Sequence, residues 1–145
     1  MNITRKNEGF GLIEVLVSLL VVTIGIMGLI SLQLNTMQSN QASSYRSLAV
    51  WAASDILDRM RANREAALNA EYDIASGDDA PDDAVTIAEQ DLSEWLTGLD
   101  NWLPVGDGAI SVDPTTSEVT VTIEWDESMK RDGTDTEQFV FGTQI

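Results

Sequence analysis

The 145-residue chain contains no cysteine and no histidine, and only 8 of its residues are basic. Without cysteine there is no disulfide framework and no thiolate chemistry. Without histidine there is no histidine-based catalytic triad, metal site or proton shuttle. The 24 acidic residues leave a formal net charge of −16. We expect no nucleic-acid partner, because such binding depends on Lys and Arg side chains that neutralise phosphates.

Proline is absent between Met1 and Ala80, and an uncharged apolar run extends from Val15 to Leu34. A helix of about 20 apolar residues is long enough to cross the hydrocarbon of a bilayer. Its Ser and Thr residues are tolerated there because their hydroxyls can bond to carbonyls of the same helix. A buried core helix is the alternative, but so small a chain has little protein to surround one. The run therefore predicts a membrane span.

The charges beside this run predict its orientation. Arg5 and Lys6 precede it, whereas no positive charge follows until Arg46. The positive-inside rule places the amino end in the cytoplasm and the residues after about position 35 on the far side. No A-x-A pattern follows the run, so it does not read as an ordinary removable secretory signal.

Glu14 lies at the start of the apolar run, where a carboxylate is costly unless it is paired or near the interface. Its side chain can reach the lipid headgroups, or it can be stabilised by the positive amino-terminal end of the helix dipole. A third possibility is a cationic partner, which no Lys or Arg of the run supplies. A free α-amino group would supply it if the chain were cut before Phe10.

The sequence GFGLIE (Gly9–Glu14) and the apolar run after it resemble the amino-terminal signal of type IV pilins and related pseudopilins. The resemblance implies that a prepilin peptidase cleaves after Gly9 and N-methylates Phe10. It also implies that Glu14 pairs with the terminal amine of a neighbouring subunit in a filament. Gly11 stands where Thr is common in the family, and glycines at 25 and 28 lie where many major pilins have proline.

A second, narrower resemblance lies farther along the chain. The segment Leu48–Tyr72, and within it DILDRMRAN (Asp55–Asn63), is similar to the stretch that follows the anchor in the PilV group of minor pilins. This resemblance favours a pilus subunit over a secretion pseudopilin.

The residues 41–70 predict a helix, because apolar side chains recur every three or four positions on one face. These are Tyr45, Leu48, Ala49, Ala52, Ala53, Ile56 and Met60. With no proline before Ala80, this helix and the membrane span can be continuous. Asp55 with Arg59 and Arg61 with Glu65 are predicted ion pairs. A basic patch of Arg59, Arg61 and Arg64 is the alternative, disfavoured by the acidic residues around it.

Residues 71–83 form a predicted loop rich in Asp, Gly and Pro. Its acidic cluster suits Ca²⁺ as a ligand set, but the spacing is not that of an EF-hand. Paired carboxylates at 78/79 and 82/83 are the candidates for a hydrolase site, and no nucleophile and base accompany them. A solvated loop is the favoured interpretation.

The remainder predicts a second helix over 84–104 and then strands. Leu92, Trp95, Leu96 and Leu99 share a helix face, and Trp95 and Trp102 are expected core residues. Alternation of period two predicts strands at 109–113, 118–125 and 138–144, the first two joined by a turn at 114–117. The fold class is therefore α+β, a long amino-terminal helix on a small antiparallel sheet.

These observations lead to one expected organisation: a leader at 1–9, a transmembrane or filament-core helix at 10–34 and a periplasmic head at 35–145. The resemblance implies a non-enzymatic minor pilin, in the inner membrane and then in a type IV pilus, in a priming or tip complex. Its partners would be other minor and major pilins, prepilin peptidase and inner-membrane lipid, with no cofactor. A type II secretion pseudopilin is the alternative, and a membrane-anchored enzyme or metal-binding module is a weaker one.

Overall fold

A computed structural model of the chain describes residues 11–127 and 136–145. These residues form three helices and three strands. The helices are α1 (Leu12–Ala62), α2 (Arg64–Leu68) and α3 (Ile87–Trp102), and the strands are β1 (Asp107–Asp113), β2 (Glu118–Asp126) and β3 (Thr136–Gln144). The chain divides into two compact units, Met1–Ser39 and Asn40–Ile145. The predicted α+β class is confirmed.

The long helix α1 extends without a break through the apolar run and the amphipathic segment, as the absence of proline predicted. Its buried residues, Ala49, Ala52, Ala53, Ile56, Leu57 and Met60, all lie in the second unit. The spacing of three and four brings them onto one face. Small side chains at positions 49, 52 and 53 allow other elements to approach the helix backbone closely.

The helix ends at Ala62, earlier than the predicted end at Ala70. Asn63 leaves the helical conformation, with φ −114° and ψ 49°, and α2 then begins at Arg64. The break separates Arg61 from Glu65, and the predicted pair between them is wrong. Arg61 instead donates to Asp58 at 2.7 Å, on its own side of the break.

Helix α3 begins with a capping box. The hydroxyl of Thr86 accepts from the N–H of Glu89, while the Glu89 carboxylate accepts from the N–H groups of Thr86 and Val85. These bonds satisfy N–H groups that a helix start leaves without partners. They also lower the pKa of Glu89, chiefly through the Thr86 N–H. The helix ends at Trp102, directly before Leu103 and Pro104, as predicted.

The three strands form one antiparallel sheet in the order β1-β2-β3. Ile110 pairs with Val121, and Val121 pairs in turn with Phe141. Val119, Val121, Ile123 and Trp125 are buried on one face of β2, while the residues between them are partly exposed. The predicted alternation, the turn at 114–117 and the pairing of the third strand with the second are confirmed.

The core lies where this sheet face meets the buried stripe of α1 and the inner face of α3. Its largest buried side chains are Trp95, Trp125, Tyr72, Ile56, Leu57 and Met60. The loop after α2 also reaches the sheet, because Ile74 and Ile110 exchange main-chain hydrogen bonds of 3.0 and 2.9 Å. This contact covers part of the outer edge of β1.

Candidate functional site

The first part of α1 is exposed and apolar. Within α1 an 18-residue window has a mean hydropathy of 2.7, and none of that window is buried. Leu12, Leu19 and Met27 are examples of side chains that stand free on its surface. By length and composition the helix can cross a membrane. Such a surface is unsuited to water and needs lipid or other protein chains around it.

Three hydroxyl groups in this part of α1 bond to the helix that carries them. Ser18 donates to the carbonyl of Glu14 at 2.8 Å, Thr23 to that of Leu19 at 2.7 Å, and Thr36 to that of Leu32 at 2.9 Å. In an apolar environment an unpaired hydroxyl is costly. The back-bonding predicted for Ser18 and Thr23 is confirmed and lowers their polar cost, Thr36 makes the same bond beyond the run, and Ser31 makes none among the described residues.

Glu14 lies in the first turn of α1, and its side chain is exposed. Its main-chain N–H donates to the carbonyl of Gly11 at 3.0 Å, which marks the beginning of the helix. The first basic residue along α1 is Arg46, 32 positions farther on. At a rise of about 1.5 Å per residue this separation is far beyond side-chain reach. A partner for the carboxylate must come from outside α1.

The predicted processing residues Gly9 and Phe10 lie outside the described residues. Gly11 directly precedes α1, and a Cβ placed on it would meet only the Ile13 side chain, at 3.8 Å. Gly25 and Gly28 have open space where a Cβ would stand. Helix α1 passes through both glycines without interruption.

A network of charged groups joins α1 to α3 in the second unit. The Arg59 guanidinium donates to Asp55 at 3.0 Å, to Asp91 at 3.1 Å and to Glu94 at 2.7 Å. These bonds, with Glu94 the strongest contributor, raise the pKa of Arg59. The predicted pair between Asp55 and Arg59 is confirmed, and the salt-bridged surface is favoured over a basic patch.

Tyr72 extends this network into the core. Its hydroxyl donates to Asp91 at 2.6 Å and accepts from the Asn63 side chain at 3.3 Å. Burial and then the bond to Asp91 raise the pKa of Tyr72 to about 12. The network links the break after α1 to the loop and to α3, which is a structural role.

Two tryptophans meet at the surface of the second unit. The ring centroids of Trp51 on α1 and Trp102 on α3 are 4.9 Å apart, with 66° between the planes. Trp51 is 51% exposed and Trp102 is 39% exposed, so the prediction that Trp102 is a core residue is wrong. Trp95 is buried as predicted. Sequence periodicity missed the pair, since the two residues are 51 positions apart.

The acidic loop is largely exposed, as predicted. Asp78 accepts from the N–H of Ala75 at 3.1 Å, a bond that stabilises the turn. Within residues 11–127 and 136–145 no group of three His, Cys, Asp or Glu side chains is arranged to hold a metal ion. The paired carboxylates at 82 and 83 are likewise at the surface.

Comparison with known protein families gives a match at the amino-terminal part of the chain. Residues 4–30 match the prokaryotic N-terminal methylation motif, which includes Gly9, Phe10 and Glu14. The match does not extend to Leu48–Tyr72. No curated protein and no solved structure matches the chain. The matched residues are confined to the amino-terminal part of the chain, so the match shows an amino terminus like that of type IV pilin-like proteins.

Proposed function

We propose that the chain is a minor pilin of a type IV pilus. It enters the inner membrane through α1, is cleaved after Gly9 and N-methylated at Phe10 by prepilin peptidase, and joins a filament. Its role there is assembly, in a priming or tip complex with other pilins, and not catalysis. The second unit is the periplasmic head.

One observation carries the proposal: an exposed carboxylate in the first turn of an exposed apolar helix. Cleavage after Gly9 would make Glu14 the fifth residue of the mature chain and would create an amine at Phe10. When the apolar helices of several subunits pack together, that amine from one subunit can meet Glu14 of another. The pairing supplies the counter-charge that α1 itself lacks.

The charge of the head favours a minor rather than a major subunit. All but two of the acidic residues and all but two of the basic residues follow Ser39, so the head carries the whole net charge of −16. A filament of this chain alone would place like-charged heads side by side. Mixing with other pilins dilutes that repulsion.

The experiment is to express the full chain with and without a prepilin peptidase in a host that lacks its own. Intact mass and amino-terminal sequencing of membrane-extracted protein are the measurements. We expect the chain to lose nine residues and gain one methyl group only when the peptidase is present. Gly9→Leu should stay uncut, whereas Gly11→Ala, two residues away, should be cut normally. A wild-type chain that still begins at Met1 beside an active peptidase would refute the proposal.

A type II secretion pseudopilin is the second candidate, because the methylation motif is common to both systems. The similarity of Leu48–Tyr72 to the PilV group is what favours the pilus. Deletion of the gene in its own host distinguishes the minor pilin from the pseudopilin. Loss of surface pili with normal protein secretion supports the minor pilin, and loss of secretion with intact pili supports the pseudopilin.

A further inference from the structure

The positions of Trp51 and Trp102 on the head are determined by their packing contacts. Trp102 lies over Gly98, one turn earlier on α3, and a Cβ at Gly98 would come within 2.7 Å of the Trp102 ring. Only glycine leaves room for the ring in this place. Trp51 closes the arrangement from α1 through the edge contact of 4.9 Å.

This placement leaves much of both indoles in contact with solvent. The other two tryptophans, Trp95 and Trp125, are only 2% and 1% exposed. The exposure of the pair is therefore not general to the tryptophans of the head. Val50, next to Trp51, is also exposed. Tryptophan is concentrated at the energetically dominant positions of protein interfaces. The pair is therefore a candidate docking surface.

The net charge of the head indicates what can dock at the pair. Helix α3, which carries Trp102, has no basic residue. Of its acidic residues, Asp91 and Glu94 are paired with Arg59, and Glu89 caps the helix start. The head as a whole has 22 acidic and 6 basic residues, because only Glu8, Glu14, Arg5 and Lys6 precede Asn40. A second copy of the chain would bring the same negative charge and be repelled.

We propose that the Trp51–Trp102 pair is a docking surface for a different protein, one that presents Arg or Lys side chains to the indole rings. The π faces of tryptophan attract cations, and Trp is the best of the aromatic residues at doing so. The net negative charge of the head steers a basic surface toward it and opposes acidic ones. This inference does not depend on whether the chain serves a pilus or a secretion system.

The probe is a fluorescein-labelled peptide of three arginines separated by glycines, with a matched peptide that has citrulline in place of arginine. Citrulline keeps the size and loses the charge. Binding to the full chain in a zwitterionic detergent is measured by fluorescence anisotropy. We expect the citrulline peptide to bind at least about tenfold more weakly.

The variants Trp51→Leu and Trp102→Leu keep an apolar side chain and the net charge but remove the ring. We expect the double variant to weaken arginine-peptide binding at least about tenfold, the effect usual for an interface hot spot. Phe141→Leu is the matched control, since Phe141 is an exposed aromatic residue on β3. It should bind as the wild type does. Fluorescence of the buried Trp95 and Trp125 reports that the variants are folded.

Three results would overturn the inference. Equal binding by the double variant and the wild type would mean that net charge alone attracts the peptide. Concentration-dependent self-association that Trp51→Leu abolishes would assign the pair to a second copy. Binding to phosphatidylcholine vesicles that requires both indoles, with no preference for arginine over citrulline, would assign it to a lipid surface.

Discussion

The indole N–H of Trp95 donates to the main-chain carbonyl of Ala52 across 3.0 Å, in the buried space between α3 and α1. Ala52 has no side chain beyond Cβ, which allows the ring to reach the helix backbone. The contact satisfies the one polar atom of a large buried side chain. It also fixes how α3 lies along the head portion of α1.

Trp95→Phe should destabilise the head by about 1–2 kcal/mol, because the ring volume falls and the hydrogen bond is lost. Urea unfolding followed by circular dichroism measures the effect. Trp102→Phe is the control, since Trp102 is half exposed, and it should cost less. Equal effects for the two variants would contradict the role assigned to the buried bond.

Gly108→Ala should be destabilising, since a Cβ at this position would come within 2.7 Å of Leu99 and overlap the Trp95 ring. Overpacking of this kind costs about 1–3 kcal/mol. The matched exchange is Gly142→Ala on β3, where a Cβ would meet only a Glu118 carboxylate oxygen at 3.9 Å. Urea midpoints of the two variants provide the comparison. A Gly108→Ala chain as stable as Gly142→Ala would show that β1 does not press against α3.

Stability at alkaline pH should depend on Tyr72. Burial raises the pKa of Tyr72 from 10.0 to about 12, so the folded state favours the neutral phenol. Its contribution to stability is complete below pH 10 and is lost as the pH rises through about 12. Urea midpoints between these pH values should fall in the wild type and fall less in Tyr72→Phe.

Tyr45→Phe is the control for that titration. The Tyr45 hydroxyl accepts from Gln41 at 2.7 Å, one turn earlier on α1, and is not bonded to Asp91. We expect this variant to keep the alkaline loss of stability seen in the wild type. The same alkaline loss in Tyr72→Phe as in the wild type would assign it to other groups.

Glu14→Gln and Glu14→Val should be cleaved and methylated but enter filaments poorly. Without the carboxylate the terminal amine of the neighbouring subunit has no counter-charge at that depth. We expect incorporation to fall at least about tenfold, equivalent to about 1.4 kcal/mol. Immunoblots of sheared filaments, normalised to processed chain in the membrane, measure it.

Ser18→Ala is the control for the Glu14 variants. It removes a hydroxyl that bonds to the Glu14 carbonyl one turn away and leaves the carboxylate in place. Its incorporation should stay near that of the wild type. Normal incorporation of Glu14→Gln would mean that the glutamate serves only to reach the lipid headgroups.

The sequence predicted those parts of the fold that a local pattern determines. The stripe from Ala49 to Met60 has helical spacing, and Val119, Val121 and Ile123 alternate as a strand does, so both elements were predicted with their buried faces. The strand β1 begins two residues before the predicted start, at Asp107. Gly108 has no side chain that could contribute to an alternating hydrophobic pattern. Its contact with Trp95 depends on how α3 packs on the sheet.

The contacts between distant segments were not predictable in this way. Arg59 bonds to Asp91 and Glu94, which are 32 and 35 positions away, and periodicity does not say which helix lies beside which. Ile74, which bridges to Ile110 of β1, lies in a loop without alternation. For the candidate site, Gly9–Glu14 was found because its signal is a contiguous motif, whereas Trp51 and Trp102 become neighbours only when α1 meets α3.

The back-bonded hydroxyls of Ser18, Thr23 and Thr36 have a consequence for any change in the surroundings of α1. Each already has an acceptor one turn earlier, so none needs a donor or acceptor from its neighbours. Fatty-acyl chains around these positions can therefore be replaced by protein side chains, and each hydroxyl still has its hydrogen-bond acceptor. For these three hydroxyls, transfer of α1 from one apolar medium to another carries little electrostatic cost.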